Sequence, residues 1–217
     1  DIILLITNLG NYLYLPVYDI PECKWKDLGK HISNIIPLLD NEKIIYSMFV
    51  SDFDSNKYIT SFSKNGMIKR TSINEFKAQR YSKPIKMMNL KDDDELVSIT
   101  DSNSREVFIA TSCGYGLWYD ISEVPVVGIK AAGVKSINLK DDYVVNGLLF
   151  DSSDEYITIL TDKGTGKRVK LLEFEKTSRA KRGILLMKVI KSNPSRIIRV
   201  YIEDIKNLIG VVSDIYT

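Results

Sequence analysis

The chain has 217 residues, 44% of them hydrophobic, and a mean hydropathy of -0.09, values of a soluble globular protein long enough for one large all-β domain or two small ones. No stretch approaches the roughly 18 uninterrupted apolar residues of a membrane helix, which argues against a membrane partner. Formal net charge is only +2, and the two cysteines (Cys23, Cys113) and single histidine (His31) lack the spacing of a zinc site or a triad, so they are expected to be reduced thiols and a bystander in a cytoplasmic protein.

The chain opens at Asp1, already inside a strand-like run and without a signal segment, and reads as a fragment of something longer. In chain order the predicted elements then repeat. IILLITNLG ends at Gly10, YITSFSKNG at Gly66, VFIATSCG at Gly114 and YITILTDKG at Gly164, at spacings of 56, 48 and 50 residues. Seven residues after each glycine stands an apolar side chain (Val17, Ile73, Ile121, Leu171), and nine after stands an acid (Asp19, Glu75, Glu123, Glu173). Ten after stands another apolar residue (Ile20, Phe76, Val124, Phe174). The second halves recur too: LDNEKII from Leu39, LKDDDELV from Leu90 and LKDDYVV from Leu139 each set an acidic turn before an apolar strand. The fourth unit replaces that turn with Asn193-Pro194, and LIGVVSD from Leu208 reads as the first strand of a fifth unit.

Each unit therefore reads as strand, glycine turn, strand, basic loop, strand, acidic turn, strand, with Val, Ile, Tyr, Phe and Thr filling the runs. Four short strands per unit predict an all-β, propeller-like ring of blades, with units at about 1–57, 58–105, 106–154 and 155–207 and the start of a fifth at 208–217. TDKGTGKR (Thr161–Arg168) fails as a phosphate-binding loop, because Thr161 stands where the first glycine belongs and Arg168 where a Ser or Thr must reach the metal. It is expected to be a hairpin, with glycine supplying positive φ. The repeated acids are too regular for a catalytic pair and are expected to serve the blade structure.

Charge is uneven. By unit the net values are -3, +3, -4 and +7, with -1 in the last ten residues. In the two basic units the charge gathers on the second strand (Lys69, Arg70; Lys167, Arg168, Lys170) and in the following loop (Lys77, Arg80, Lys83, Lys86; Lys176, Arg179, Lys181, Arg182). Lys24, Lys26 and Lys30 in the first unit, and Lys130 and Lys135 in the third, are second-rank candidates. Equivalent loops on a ring predict a curved positive track suited to phosphate backbones, binding duplex DNA without reading its bases. Trp25, Trp118, Tyr12, Tyr14, Tyr81 and Tyr119 are expected to pack blades rather than to stack on single strands.

TNLGNYLYLPVYDIPE (7–22), SCGYGLWYDISEVP (112–125) and SRAKRG (178–183) resemble the C-terminal domain of the A subunit of bacterial type IIA topoisomerases, gyrase and topoisomerase IV. KWKDLGKHISNIIPL (24–38) looks most like the topoisomerase IV branch, and the resemblance covers essentially the whole chain. It implies a β-pinwheel, a ring whose blades exchange strands, that binds and bends duplex DNA on its rim and presents it to the catalytic core of the same polypeptide. The B subunit of topoisomerase IV would be met through the holoenzyme. The resemblance also implies no catalytic residue, metal site or cofactor in this segment, ATP and Mg belonging to other parts of the enzyme. Gyrase carries a Q-R-R-G-G-K-G box, and this chain has no intact copy: FKAQRYSKP (76–84) keeps Gln79-Arg80 without the glycines. Two readings stay open beside this one, a gyrase DNA-wrapping domain and a protein-interaction propeller.

Overall fold

A computed structural model of the chain describes residues 1–91, 93–151, 156–188 and 192–203. The four glycine hairpins form. β1 (Ile2–Thr7) turns into β2 (Asn11–Pro16), and β4 (Tyr58–Ser63) into β5 (Met67–Ser72). β8 (Glu106–Thr111) turns into β9 (Tyr115–Asp120), and β12 (Tyr156–Thr161) into β13 (Gly166–Lys170). Gly10, Gly66, Gly114 and Gly164 stand at φ of 72°, 82°, 95° and 70°, a region closed to most side chains. Each donates its N–H to the carbonyl of Thr7, Ser63, Thr111 or Thr161, three residues earlier. TDKGTGKR is thus a hairpin, with Gly164 in the turn and Gly166 opening β13.

A 3-10 turn follows each hairpin: Val17–Asp19, Ile73–Phe76, Ile121–Glu123 and Leu171–Glu173. These turns are the origin of the seven-nine-ten spacing in the sequence. In units two to four the two apolar positions are buried (Ile73 and Phe76, Ile121 and Val124, Leu171 and Phe174), whereas Val17 and Ile20 are exposed. The acidic turns are structural as well. Asp94 Oδ1 accepts from Asn65 N and Asp142 Oδ1 from Cys113 N, each at 2.9 Å, tying the hairpin to the strand that follows. Glu42 does the same through the Thr7 hydroxyl at 2.7 Å.

The last strand of each unit is β3 (Ile44–Val50), β7 (Leu96–Thr100), β11 (Val144–Phe150) or β15 (Ile197–Glu203). The third strand is only two residues long: β6 (Ile85–Lys86), β10 (Val134–Lys135) and β14 (Ile184–Leu185). It does not join its own unit. The antiparallel sheets run β3-β1-β2-β6, β10-β5-β4-β7, β11-β8-β9-β14 and β13-β12-β15, so every short strand completes the sheet of the unit before it. The simple in-unit blade of the repeat reading is corrected here, and the strand exchange implied by the resemblance is what the sheets display. Two residues of strand are stable only as an addition to an existing sheet. In the first unit, residues 24–38 instead carry a 3-10 turn at Ile32–Asn34, and no described sheet precedes β1 for them to join. The fifth unit expected at 208–217 lies outside the described residues.

Cores lie between consecutive sheets. Leu4, Ile6, Tyr12 and Met48 of the first sheet meet Ile59, Phe76 and Leu96 of the second unit. Phe62 and Ile68 meet Val107, Leu117 and Tyr119 at the next junction, and Phe108, Trp118 and Phe150 meet Ile157, Leu171 and Val200 at the third. β4 and β8 are buried on both faces because a neighbour packs on each side, whereas β12 alternates between buried and half-buried residues. The last strands run side by side. Tyr46 donates to Asp101 at 2.7 Å, Ser98 Oγ to the Gly147 carbonyl at 3.0 Å, and Asn146 Nδ2 to the Val200 carbonyl at 3.1 Å. The short donated strands therefore form the opposite, outer edge. This all-β arrangement is a β-pinwheel.

Candidate nucleic-acid interface

The outer edge is built by the loops that carry each donated strand. Val127 N donates to the Arg70 carbonyl at 2.9 Å, and the equivalent Thr177 N to the Trp118 carbonyl at 2.8 Å. Two residues further on, Ile129 N reaches Glu75 Oε2 at 3.4 Å and Arg179 N reaches Glu123 Oε2 at 2.8 Å. Two of the four acids repeated in the sequence, Glu75 and Glu123, thus hold the incoming loop of the next unit. Loops 126–133 and 176–183 are pinned at the rim, with Lys130 and Lys181 exposed.

Three of the candidate basic residues are committed to protein groups. Lys69 is a correction: its side chain is 1% exposed, and its ammonium donates to the carbonyls of Met87 and Ile129, so it faces no solvent from which a phosphate could approach. Burial lowers its pKa to about 8. Arg179 is half-buried and spends its guanidinium on the carbonyls of Glu123 and Lys135. Lys176 bridges Glu106 at 2.8 Å and Asp120 at 3.1 Å. The Glu106 hydrogen bond raises the Lys176 pKa, while bonds from Ser122, with Lys176 adding to them, hold Asp120 at about 2. These two were expected to contact phosphates. Each also spends part of its hydrogen-bonding capacity within the rim, Arg179 through Nε and Nη1 and Lys176 on two carboxylates.

The other candidates remain at the surface. Lys86, Lys135 and Lys167 are exposed and make single bonds to Leu9 O, Asn138 Oδ1 and Leu186 O. Lys77, Arg80, Lys83, Arg168, Lys170 and Lys181 are exposed, Arg70 and Arg182 half-buried, and none has a hydrogen-bonding acceptor among the described residues. The same holds for Lys130 and for Lys24, Lys26 and Lys30, in a loop where Trp25 is 89% exposed and Lys26 lies 5.6 Å from its ring.

Three of these arginines lie over aromatic rings, a feature the charge count did not reveal. The Arg70 guanidinium is 4.1 Å from the Tyr58 ring centre, Arg168 4.6 Å from Tyr156, and Arg182 4.0 Å from Tyr115. The signal was present in the repeat: Tyr58 and Tyr156 both stand eight residues before the hairpin glycine, and Arg70 and Arg168 both four after it. Of the aromatics expected to pack blades, Tyr12, Tyr14, Trp118 and Tyr119 are buried, and Tyr81 is half-buried with its ring 5.3 Å from Tyr14. Trp25 is the exception.

Strand-exchanged blades about a common inner edge, with charge on the pinned outer loops, define a β-pinwheel of the type IIA topoisomerase kind. The family described as the DNA gyrase C-terminal domain, β-propeller, matches residues 1–51, 57–102, 105–150 and 155–201, and the chain belongs to it. Within that family it is similar to the A subunit of DNA topoisomerase 4 from Bacillus subtilis (strain 168), 47% identical over 203 residues. That match covers 93% of this chain and 25% of the relative, so the chain spans a quarter of the relative's length. The crystal structure of the C-terminal domain of DNA topoisomerase IV superposes with a TM-score of 0.91 at 48% identity, over 94% of this chain and 64% of that one. The E. coli ParC C-terminal domain, at 16% identity and a TM-score of 0.75 over 94% and 81% of the two chains, shares the fold.

Proposed function

We propose that this chain is a non-catalytic, duplex-binding and duplex-bending domain of a topoisomerase IV A subunit. Its outer edge holds the DNA and presents it to the catalytic core of the same polypeptide, tuning substrate choice in decatenation and supercoil relaxation. The B subunit of topoisomerase IV joins through the holoenzyme in the bacterial cytoplasm, and ATP and Mg act in other parts of the enzyme. The observation that carries this reading is the set of exposed rim cations without protein acceptors on the outer loops of units two and four. Identity of 47% to a topoisomerase IV relative favours that branch over a gyrase wrapping domain.

A set of exposed cations with no acceptor among the described residues recognises phosphates by charge and releases counterions as it does so. The test is duplex affinity across a salt series, for the wild type and for a variant with Lys170, Lys181 and Arg182 changed to alanine. The expected log–log slope is steep and becomes shallower in the variant by about 0.9 for each phosphate no longer neutralised. A flat wild-type slope would refute the reading and move a protein-interaction propeller to the front.

A further inference from the structure

We infer that Tyr58 and Tyr156 are positioning residues that hold Arg70 and Arg168 as preset, bidentate phosphate anchors on alternate blades. The inference rests on the DNA-binding reading above and adds to it which cations are fixed, and by what. Arg70 on β5 pairs with Thr60, and Arg168 on β13 with Thr158, so each arginine sits diagonally across the hairpin from the tyrosine that opens β4 or β12. The two guanidinium-to-ring distances, 4.1 and 4.6 Å, repeat one arrangement in two units whose remaining sequences differ.

A guanidinium that lies on a ring uses only its face. Its five N–H donors point outward in the plane and stay free for a phosphate, whose oxygens match that fork. Neither arginine has a hydrogen-bonding acceptor among the described residues, in contrast to Arg179, which donates to the carbonyls of Glu123 and Lys135. A free surface arginine must lose its rotamer freedom when it binds, and the stack removes much of that loss beforehand.

The same two positions in the other units exclude such an anchor. In unit three they are Glu106 and Trp118, where the indole N–H donates to the carboxylate at 2.8 Å. A phosphate there would meet an acid. In unit one they are Ile2 and Tyr14, and Tyr14 packs on Phe53 and Tyr81. At these two repeat positions the stack therefore recurs every second blade, whereas Arg182 reaches Tyr115 of the third sheet from the donated loop.

The test measures affinity of this chain for a labelled mixed-sequence duplex over a salt series, with thermal unfolding recorded for every variant. Arg70→Ala with Arg168→Ala should reduce the slope by about 0.9 per anchor. Tyr58→Leu with Tyr156→Leu should weaken binding by about 3–10-fold at fixed salt, and should add little to the arginine variant when the two are combined. Tyr58→Phe with Tyr156→Phe should recover most of the loss, because the ring remains. Should the leucine variant unfold, Arg70→Lys with Arg168→Lys decides the matter: charge is kept, stack and fork are lost, and binding should weaken by a similar factor. Leucine or lysine variants that fold and bind like wild type would overturn the inference, as would an unchanged slope in the arginine variant. In those cases a steep wild-type slope leaves the DNA reading standing. A flat wild-type slope removes both.

Discussion

Lys69 shows how far one side chain's role depends on what arrives next to it. Its repeat position matches Lys167, yet the loop of the following unit closes over Lys69 and supplies the Ile129 carbonyl as a cap, whereas Lys167 stays exposed. The folded pKa of about 8 lies below the ordinary 10.5, so the folded state releases this proton first. Between these two values the unfolded chain binds more protons, and stability rises with pH. Wild type should gain on the order of 1–3 kcal/mol relative to Lys69→Met between pH 8 and 10.5. Parallel unfolding curves for the two proteins across that window would refute the assignment. Nothing in the local sequence MIKRTS distinguishes a buried lysine from an exposed one, because the burying groups lie 18 and 60 residues away. Glu75 and Glu123 were legible as structural from the regularity of the repeat. Their partners, the backbone N–H groups of the next unit's loop, were not.

Among the elements, the hairpins were readable from the recurring glycine, and the acid and apolar positions recurred at fixed local offsets, but the 3-10 turns they build were not foreseen. The short third strand expected in every unit forms in units two to four but not in the first, and the in-unit reading gave it to the wrong sheet, because a two-residue strand carries no alternation to mark its partner. Their insertion points carry a second signal. Gly133 and Gly183 precede β10 and β14 at φ of 82° and 81°, and a methyl at either would overlap the carbonyl oxygen of Ile68 or Gly116 on the receiving strand. Gly183→Ala should therefore cost about 2–4 kcal/mol, from strain and collision together. Gly164→Ala, also at positive φ but with nothing within 4 Å of the added carbon, should cost only about 1–2 kcal/mol. Thermal unfolding of the two variants separates them, and equal losses would show that the close approach where the strand inserts carries no extra weight.

Over the whole molecule, unit charges of -3, +3, -4 and +7 were visible from the sequence. Their physical form was not. In unit three the acids Glu106 and Asp120 neutralise Lys176, a unit-four residue, so the charge of a blade is partly set by its neighbour's loop. On the proposed DNA-binding reading, a duplex engaged by units two and four passes an acidic blade between them and curves to meet both. Neutralising Lys77, Arg80 and Lys83, or alternatively Lys181 and Arg182, should each reduce the bend read by end-to-end energy transfer while leaving measurable affinity. A bend unchanged by both sets would mean that the DNA touches one unit alone.

Because each of the first three sheets receives its outermost strand from downstream, the unit of repetition and the unit of folding are out of step. A ribosome that has released residues 58–105 has delivered three strands of the second sheet, and β10 follows only about thirty residues later. Completion is thus vectorial, each of these three blades staying open-edged until its successor emerges. A cut between any two adjacent repeats would remove a rim strand, along with the basic loop that carries it, from the blade it leaves behind.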